Sequence, residues 1–266
     1  MVDAELIERW TRRLRHETPG AIAVLLGGSF VRGDAGSSSD LDFEVVVAGG
    51  PRDEWPTWFD LDGDRMLRID AWIRDLPAWL ASQEEPQGWA FGLPCSEPLR
   101  LLWTADESLR VQVDRSGLQH PGGPPELEHF IADLGKMANA HERGDELTTR
   151  LAAQDLARSC PALLRPLNPD PRPPVASRRA ALLTVLAFEV APPDYRHDLL
   201  VCLGIPERPA DAEAVRAAAG RLATGVVELL ATRLETIRPL LNERMAASLG
   251  DGTLRRYVAQ LSGELR

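Results

Sequence analysis

The chain has 266 residues, a formal net charge of −10 and an apolar fraction of 44%. This length suits one large domain or two ordinary ones, and the composition allows a packed core. Surfaces that bind nucleic acid are usually basic, so the charge argues against RNA or DNA as the main partner. The acidic balance is instead compatible with a cationic small molecule, which an acidic cleft would concentrate.

Nothing in the sequence predicts a membrane protein or a secreted one. No apolar run is long enough to span a bilayer, so we expect no membrane partner. The N-terminal segment is charged and lacks the apolar core of a signal peptide, which favours a cytoplasmic location. The cysteines, Cys95, Cys160 and Cys202, lie far apart in the sequence. Their spacing fits neither a disulfide framework nor a zinc site and is typical of buried thiols.

Short apolar segments separated by turn residues fill the first half of the chain. Apolar residues at helical spacing predict a helix over residues 3–17. Continuous apolar runs predict buried strands at 21–26 and 41–47. An Asp62-Gly63 pair between two further strands is typical of a hairpin. Additional short elements are expected at 75–82, 99–103 and 107–113.

The second arm of this hairpin, residues 65–73, has two different faces by the alternation of a β-strand. Leu67 and Ile69 belong to an apolar face. Arg68 and Asp70 belong to the opposite, polar face. The pattern therefore predicts that Asp70 points away from the core beneath this strand.

The second half of the chain predicts helices almost throughout. We place them at about 126–142, 145–165, 176–190, 211–238 and 251–264. A segment rich in Pro and Gly at 116–125 is the expected linker, and a Pro-rich rigid loop is expected at 168–174. The predicted fold class is therefore α/β (α+β). A small mixed-sheet domain over residues 1–117 is followed by an all-helical C-terminal domain over residues 126–266.

The first chemical feature is a pair of carboxylates at the start of the second strand. Asp40 and Asp42 are two residues apart, so their side chains share one face. Two like charges held together are costly unless a cation lies between them. Mg²⁺ supplies that charge and prefers oxygen ligands. Asp70 would complete a metal site if its strand neighbours the first, although an Asp-x-Asp at a strand start is commonly a solvated loop end.

The second feature is the turn at Gly27-Gly28-Ser29, which follows the first strand. A turn without side chains exposes backbone N–H groups to an anion. The Ser29 hydroxyl can donate to a phosphate oxygen, and Arg32 lies one helical turn further on. The turn and the carboxylate pair complement each other, since one would hold a triphosphate and the other would hold its metal.

Together these residues resemble a known family. Gly28-Ser29, Arg32-Gly33 and Ser39-Asp40-Leu41-Asp42 are similar to the signature of the DNA polymerase beta nucleotidyltransferase superfamily. In that family a third acid comes from a later strand, and Asp70 matches that position. The helical C-terminal domain resembles, in architecture and size, antibiotic nucleotidyltransferases that act on aminoglycosides and lincosamides.

The resemblance implies a reaction and a set of site residues. ATP or another nucleoside triphosphate would bind over Gly28 and Ser29. One or two Mg²⁺ ions would be held by Asp40 and Asp42, with or without Asp70. An acceptor hydroxyl would attack the α-phosphorus, and pyrophosphate would leave. Asp70 is the first choice for the general base that removes the proton of the hydroxyl.

A polar stripe on the helix at 126–142 offers further candidates. Lys136, the only lysine of the chain, and Arg143 would hold phosphates or pyrophosphate if the stripe faces the cleft. Asp133 would then be a rival for the base. A solvated helix face explains the same pattern. His141, on the apolar side, is expected to be packed in the core.

The resemblance implies transfer of AMP to a hydroxyl of a small molecule, with an aminoglycoside-type antibiotic as the expected acceptor class. Two alternatives stay open. One is a protein- or tRNA-modifying enzyme of the toxin type, and the other is a catalytically silent nucleotide-binding regulator. The tryptophans of the first half are expected in the core, although one of them could stack on a sugar or a base. The oligomeric state is not indicated.

Overall fold

The computed structural model describes residues 4–36, 39–82, 91–105, 107–113, 118–120, 122–169, 177–205 and 209–263. The chain divides into two compact units. The first comprises Met1–Pro86 and Pro94–Pro121, and the second comprises Gln87–Leu93 and Gly122–Arg266. The described residues contain no helix long and apolar enough to span a membrane.

The first unit contains short helices and a sheet. Its elements in chain order are α1 (Ala4–Glu17), β1 (Ala21–Leu26), α2 (Gly28–Arg32), β2 (Leu41–Val47), β3 (Asp53–Glu54), β4 (Thr57–Asp62), β5 (Arg65–Asp75), α3 (Leu76–Ser82), β6 (Cys95–Glu97), β7 (Arg100–Thr104), α4 (Glu107–Val113) and β8 (Leu118–His120). Strands β6 and β8 pair with each other in a separate two-stranded sheet. The short strands β3, β6 and β8 were not expected, because segments of two or three residues carry no visible period.

The main sheet is mixed, as predicted. Its strand order is β3-β5-β2-β1-β7, and β4 also pairs with β5. Strands β2 and β5 run parallel, whereas every other pair in this sheet is antiparallel. The parallel pair lies at the centre of the candidate site, because both strands carry acidic residues there.

The two faces of this sheet have separate cores. On one face, Leu6, Trp10 and Leu14 of α1 pack against alternate residues of β2 that include Phe43 and Val45. On the other face, Val46 packs with residues that include Trp79 of α3 and Leu109 of α4. Asp42 and Glu44 alternate with Phe43 and Val45, so they belong to the face of Val46.

The prediction of two different faces on β5 is confirmed. Leu67, Ile69 and Ala71 are at most 1% exposed and belong to the core beneath α1. Met66 and Arg68, on the opposite face, are exposed. Asp70 shares their face but is only 4% exposed, because neighbouring side chains cover it.

The second unit is helical, which confirms the predicted fold class. Its helices are α5 (Leu127–Glu142), α6 (Glu146–Leu164), α7 (Arg178–Leu186), α8 (Tyr195–Leu203), α9 (Ala212–Thr232), α10 (Leu234–Ile237), α11 (Glu243–Gly250) and α12 (Thr253–Ser262). Short 3-10 turns follow α6 and α10. Arg165 donates to the backbone oxygens of Gly92 and Gly123, which holds residues 91–93 against this helical unit.

The sequence missed two of these helices and misjudged two ends. Helix α8 buries a face that includes Tyr195, Leu199 and Cys202, but the charged Asp198 lies on the same face and interrupts its apolar pattern. Helix α11 is short. The predicted helix at 211–238 ends at Thr232 and is followed by α10, and the predicted helix at 176–190 ends at Leu186. Parts of the expected linker and of the Pro-rich loop lie outside the described residues.

The three cysteines are buried and free, as the spacing predicted. Burial raises the pKa of Cys95 to about 11 and the pKa of Cys202 to about 12. Both thiols are therefore protonated at neutral pH, and they serve as packing residues.

Candidate active site

Three carboxylates converge on one face of the sheet. Asp40 directly precedes β2, Asp42 lies within it, and Asp70 lies in β5. In the parallel pair, the Cα atoms of Asp42 and Asp70 are register partners. Each of the three acids offers a carboxylate oxygen, and these oxygens all lie within 4.8 Å of one another. The arrangement follows from the fold, since parallel neighbours with the same alternation project their side chains to the same face.

The loop before Asp40 is fixed by hydrogen bonds at both of its ends. Ser39 donates its N–H to the Gly36 oxygen, and its hydroxyl accepts from the Gly36 N–H at 2.9 Å. Arg65 of β5 donates to the Ser39 oxygen at 3.0 Å. The β5 strand therefore orients the residue that precedes Asp40.

The electrostatics of the cluster identify Asp42 as its most perturbed member. Burial, followed by the charges of Asp40, Asp70 and Glu97 in that order, raises the pKa of Asp42 to about 6. Arg32 opposes this shift. A carboxylate with such a pKa lacks enough positive charge around it, and a divalent cation would supply that charge.

Asp70 has partners of its own in this structure. The Thr57 hydroxyl donates to Oδ1 of Asp70 at 2.6 Å. Arg68 donates from Nε to Oδ1 at 3.2 Å, and its Nη2 lies 2.9 Å from Oδ2. Both carboxylate oxygens are therefore engaged. The guanidinium is about half exposed and can leave into solvent, whereas Asp70 stays buried.

The turn beside the carboxylates requires glycine. Gly28 has φ of +65°, which side chains disfavour. A Cβ at this position would also collide with the Asp42 carboxylate. The Gly27 N–H donates to the Asp42 backbone oxygen at 2.8 Å, so this N–H holds the turn against β2 and is not directed at an anion. The turn and the metal-binding candidate are thus packed directly together.

Ser29 has a buried hydroxyl without a hydrogen-bond partner among the described residues. An unsatisfied buried hydroxyl is costly and is rare in folded proteins. Its neighbour in the motif, Arg32, is largely buried and pairs with Asp34 at 3.2 Å. The backbone carbonyl oxygen of Ser29 accepts hydrogen bonds from the N–H groups of Gly33 and Asp34, which closes the helical turn from Ser29 to Asp34.

These observations fit a nucleotide with a divalent metal. Three close carboxylates form the oxygen-rich set that Mg²⁺ prefers. The unpartnered Ser29 hydroxyl can donate to a phosphate oxygen, and the turn at Gly28 leaves no side chain above the carboxylates. Asp40, Asp42 and Asp70 are the residues that could hold a metal. Gly28, Ser29 and Arg32 could hold a phosphate.

The other candidates lie in the helical unit. Lys136 lies on α5 and pairs with Asp133 at 2.8 Å, so the lysine and the rival base neutralise each other. Arg143 follows the last residue of α5. Their predicted contact with nucleotide phosphates stays a prediction. The expectation that His141 is packed in the core is wrong, since its side chain is 37% exposed and its Nε2 lies 3.2 Å from Glu213. Apolar spacing misplaced it because it occupies the last turn of the helix.

Sequence reasoning missed Glu97, Thr57 and Arg68. Glu97, at the end of β6, lies beside the glycine turn, where its Oε1 would be 3.7 Å from a Cβ at Gly27. No motif marks it. Thr57 and Arg68 could have been found, because alternation places Arg68 beside Asp70 and the hairpin register places Thr57 opposite Asp70.

Comparisons with known proteins add information on the helical unit. Residues 126–232, which include α5 to α9, match the family model described as "Nucleotidyltransferase, substrate binding domain". A solved structure of a nucleotidyltransferase-like protein from Exiguobacterium sibiricum is 12% identical to this chain. That alignment covers 96% of this chain and 89% of the other, with a TM-score of 0.43. No curated protein matches.

Proposed function

We propose that this chain is a nucleotidyltransferase of the antibiotic-nucleotidyltransferase type, and that it transfers AMP from ATP to a hydroxyl of a cationic small molecule. An aminoglycoside-type antibiotic is the acceptor class we propose. Residues 1–117 form the catalytic domain in this proposal, and residues 126–266 form the domain that binds the acceptor.

One observation carries the proposal. Asp42 and Asp70 are partners on parallel strands, with Asp40 within reach and a glycine turn packed on Asp42. A carboxylate cluster with so little compensating charge is unfavourable by itself. The combination becomes favourable when a divalent ion and a triphosphate bind together, because each supplies the charge that the other lacks.

The residues have separate roles in the proposed reaction. Ser29 donates to the triphosphate, Arg32 adds positive charge beside it, and Gly28 leaves room for close approach. Mg²⁺ held by Asp40, Asp42 and Asp70 supplies charge neutralisation and polarises the reacting phosphate when it is bound. Catalysis then consists mainly of positioning and charge stabilisation.

The proton of the acceptor hydroxyl passes to a carboxylate, and we propose Asp70 for this role with Asp133 as the rival. Each candidate is paired with a neighbouring cation, Asp70 with Arg68 and Asp133 with Lys136. A base must be free to accept a proton. For Asp70 to act as the base, the Arg68 guanidinium must move away first, and for Asp133 the Lys136 ammonium group must do so. In the proposal Lys136 then joins Arg143 in holding the departing pyrophosphate.

The charge of the chain and the matched domain support the proposed acceptor class. The chain carries 40 acidic residues against 30 basic ones. Such a balance attracts polycationic molecules and repels nucleic acid. This supports a small aminated acceptor over a tRNA end, and the matched substrate-binding domain supports a dedicated acceptor site.

The test is a transfer assay with ATP, Mg²⁺ and a panel of aminoglycosides and lincosamides, in which pyrophosphate release is measured. We expect release only with an aminated acceptor present, and mass spectrometry of the acceptor should show added AMP. Labelling of the protein itself, or of a protein partner, by radiolabelled ATP would support the toxin-type alternative. ATP binding without release for any acceptor would support the silent regulator.

A further inference from the structure

We propose that Trp55 and Trp72 form a stacking platform for the ring of the acceptor, and we call them the indole pair. The inference rests on the proposed function and deepens it. It assigns the part of the acceptor site that the first unit supplies, in addition to the helical domain, and it assigns a residue, Trp55, that determines acceptor affinity. The acceptor class it commits to is a small molecule that carries both a saturated ring and an ammonium group.

The indole pair is held by contacts on the Trp72 side and is exposed on the Trp55 side. The two rings are stacked, with centroids 5.0 Å apart and planes 14° from parallel. Trp72 donates from Nε1 to Asp53 at 2.5 Å. Arg74 lies over the Trp72 ring at 3.8 Å from its centroid. Trp55, in contrast, is 60% exposed.

A buried ion pair fixes the base of this stack. Arg74 is 4% exposed in its side chain and binds Glu44 of β2 at 2.6 Å. A large exposed indole normally gains stability by packing into a core. Here a buried charge pair, a hydrogen bond and a second indole hold Trp55 at the surface, and this arrangement is suited to presenting a flat apolar face to a ligand.

The position of the pair relative to the carboxylates indicates the acceptor. Trp72 follows Asp70 by two residues on β5 and lies on the same face. The phosphate-binding candidate Ser29 follows β1, which lies on the other side of β2 in the strand order. From Ser29 to the indole pair, the site therefore runs across β1, β2 and β5.

In-line displacement sets the direction of the reaction across these strands. The leaving pyrophosphate and the attacking hydroxyl lie on opposite sides of the reacting phosphorus. If Ser29 holds the phosphates that leave, the hydroxyl enters from the β5 side. The acceptor that carries this hydroxyl then extends over Asp70 towards Trp72 and Trp55.

The chemistry of the pair fits an aminated sugar. An indole face accepts the apolar face of a ring and also attracts a cation. The contact of Arg74 with Trp72 shows that this pair already accommodates a positive group on an indole face. Asp53 is exposed next to Trp72 and adds a negative charge where an ammonium group would lie.

The experiment measures transfer kinetics for wild type, Trp55→Ala and Trp55→Phe with an aminoglycoside and ATP. We expect Trp55→Ala to raise the acceptor KM about tenfold with kcat and the KM for ATP nearly unchanged, and Trp55→Phe to restore most of the affinity. Phe59→Ala is the matched control, because Phe59 is 69% exposed on the same hairpin but pairs with Arg68, on the far side of Asp70.

Three results would overturn the platform. They are an unchanged acceptor KM in Trp55→Ala, an equal rise in Phe59→Ala, and a rise in the KM for ATP instead, which would assign the indole pair to the nucleobase. Calorimetric binding of tobramycin without nucleotide separates this inference from the proposed function. Binding that Trp55→Ala weakens, in a protein that transfers no AMP, refutes the transfer reaction alone. Full transfer by Trp55→Ala with an unchanged acceptor KM refutes the platform alone.

Discussion

Asp42 and Asp70 are Cα partners in the only parallel strand pair of the described main sheet. An antiparallel neighbour could bring the same residue types together only with a different loop length and register. The parallel register makes the side chains of both acids project to one face, with Asp40 two residues before Asp42. The strand pairing therefore brings three negative charges together, and the predictions below concern what this charge does to metal binding, stability and transfer.

Neutralising either carboxylate of the first pair should abolish transfer. We expect Asp40→Asn and Asp42→Asn to lower kcat at least a thousandfold, because each removes a charge that the metal and the reacting phosphate require. Circular dichroism should show an intact fold, since neither side chain is part of the core. Glu8→Gln on α1 is a control for loss of an exposed charge, as the Glu8 side chain is 71% exposed. Retained activity in both Asp variants would refute the metal assignment.

The pKa of Asp42 predicts how the stability of the metal-free protein changes with pH. Burial and the neighbouring carboxylates raise the pKa of Asp42 from its ordinary value of 3.8 to about 6 in the folded chain. Between pH 3.8 and about pH 6, Asp42 is protonated in the folded state but ionised in the unfolded state, so the free energy of unfolding falls as pH rises through this range. The contribution is about 2 kcal/mol after allowance for partial exposure. Below the window the contribution is fully present, and above it the contribution is lost.

The Asp42→Asn variant tests this directly. Without metal, we expect it to be more stable than wild type at pH 7.5 and to have a smaller advantage at pH 4.5, by thermal unfolding at both values. Adding Mg²⁺ at pH 7.5 should stabilise wild type more than the variant, because the ion supplies the missing positive charge. Equal pH dependence of the two proteins would contradict the shifted pKa.

Ser29→Ala should separate stability from function. Its hydroxyl is buried without a described partner, so removing it should leave the melting temperature unchanged or raise it. The same change removes a donor to the phosphates and should raise the KM for ATP about fivefold to tenfold. Differential scanning fluorimetry and steady-state kinetics measure the two effects. A lower melting temperature would show that the hydroxyl has a structural partner.

Gly28→Ala should be far more harmful than its size implies. The added methyl group meets the Asp42 carboxylate, and the φ of +65° is strained for alanine. We expect loss of nearly all transfer activity and of metal-dependent stabilisation. Gly36→Ala is the control, because a Cβ there meets nothing within 4 Å. Unchanged activity in Gly28→Ala would show that the turn can move away from Asp42.

Much of this site could be predicted from local pattern. The alternation of β5 predicted the polar face of Asp70, and the Asp40-Leu41-Asp42 spacing predicted a shared direction for the pair. Those inferences need only the two-residue period of a strand. The strand order was not readable in the same way. The strand order depends on which apolar faces of the strands and helices pack together. Glu97 is a similar case, because it lies beside the glycine turn although it is distant from it in sequence.

The helical unit was predictable where amphipathic periods are long. Helices α5 and α6 have one apolar stripe each, and their ends were placed within two residues. Helix α8 was missed because it buries Asp198, which pairs with Arg221 at 2.6 Å, among its apolar residues. A buried ion pair breaks the pattern by which sequence reasoning recognises a helix, although it satisfies the charge in three dimensions.

Removing Arg68 should strengthen metal binding. Arg68 now engages both oxygens of Asp70, so it and a divalent ion compete for the same carboxylate. In Arg68→Gln, we expect Asp70 to be free for the ion and the apparent Kd for Mn²⁺ to fall about threefold to tenfold, because one competing charge-assisted pair is lost. Titration followed by electron paramagnetic resonance of free Mn²⁺ measures this change. Arg12→Gln on α1 is the control, since that guanidinium lies 4.0 Å from Glu8 and is exposed. Weaker binding of Mn²⁺ in Arg68→Gln would instead show that Arg68 orders Asp70 for the metal. Thr57→Val should then weaken binding in the same way, because Thr57 is the other donor to Asp70.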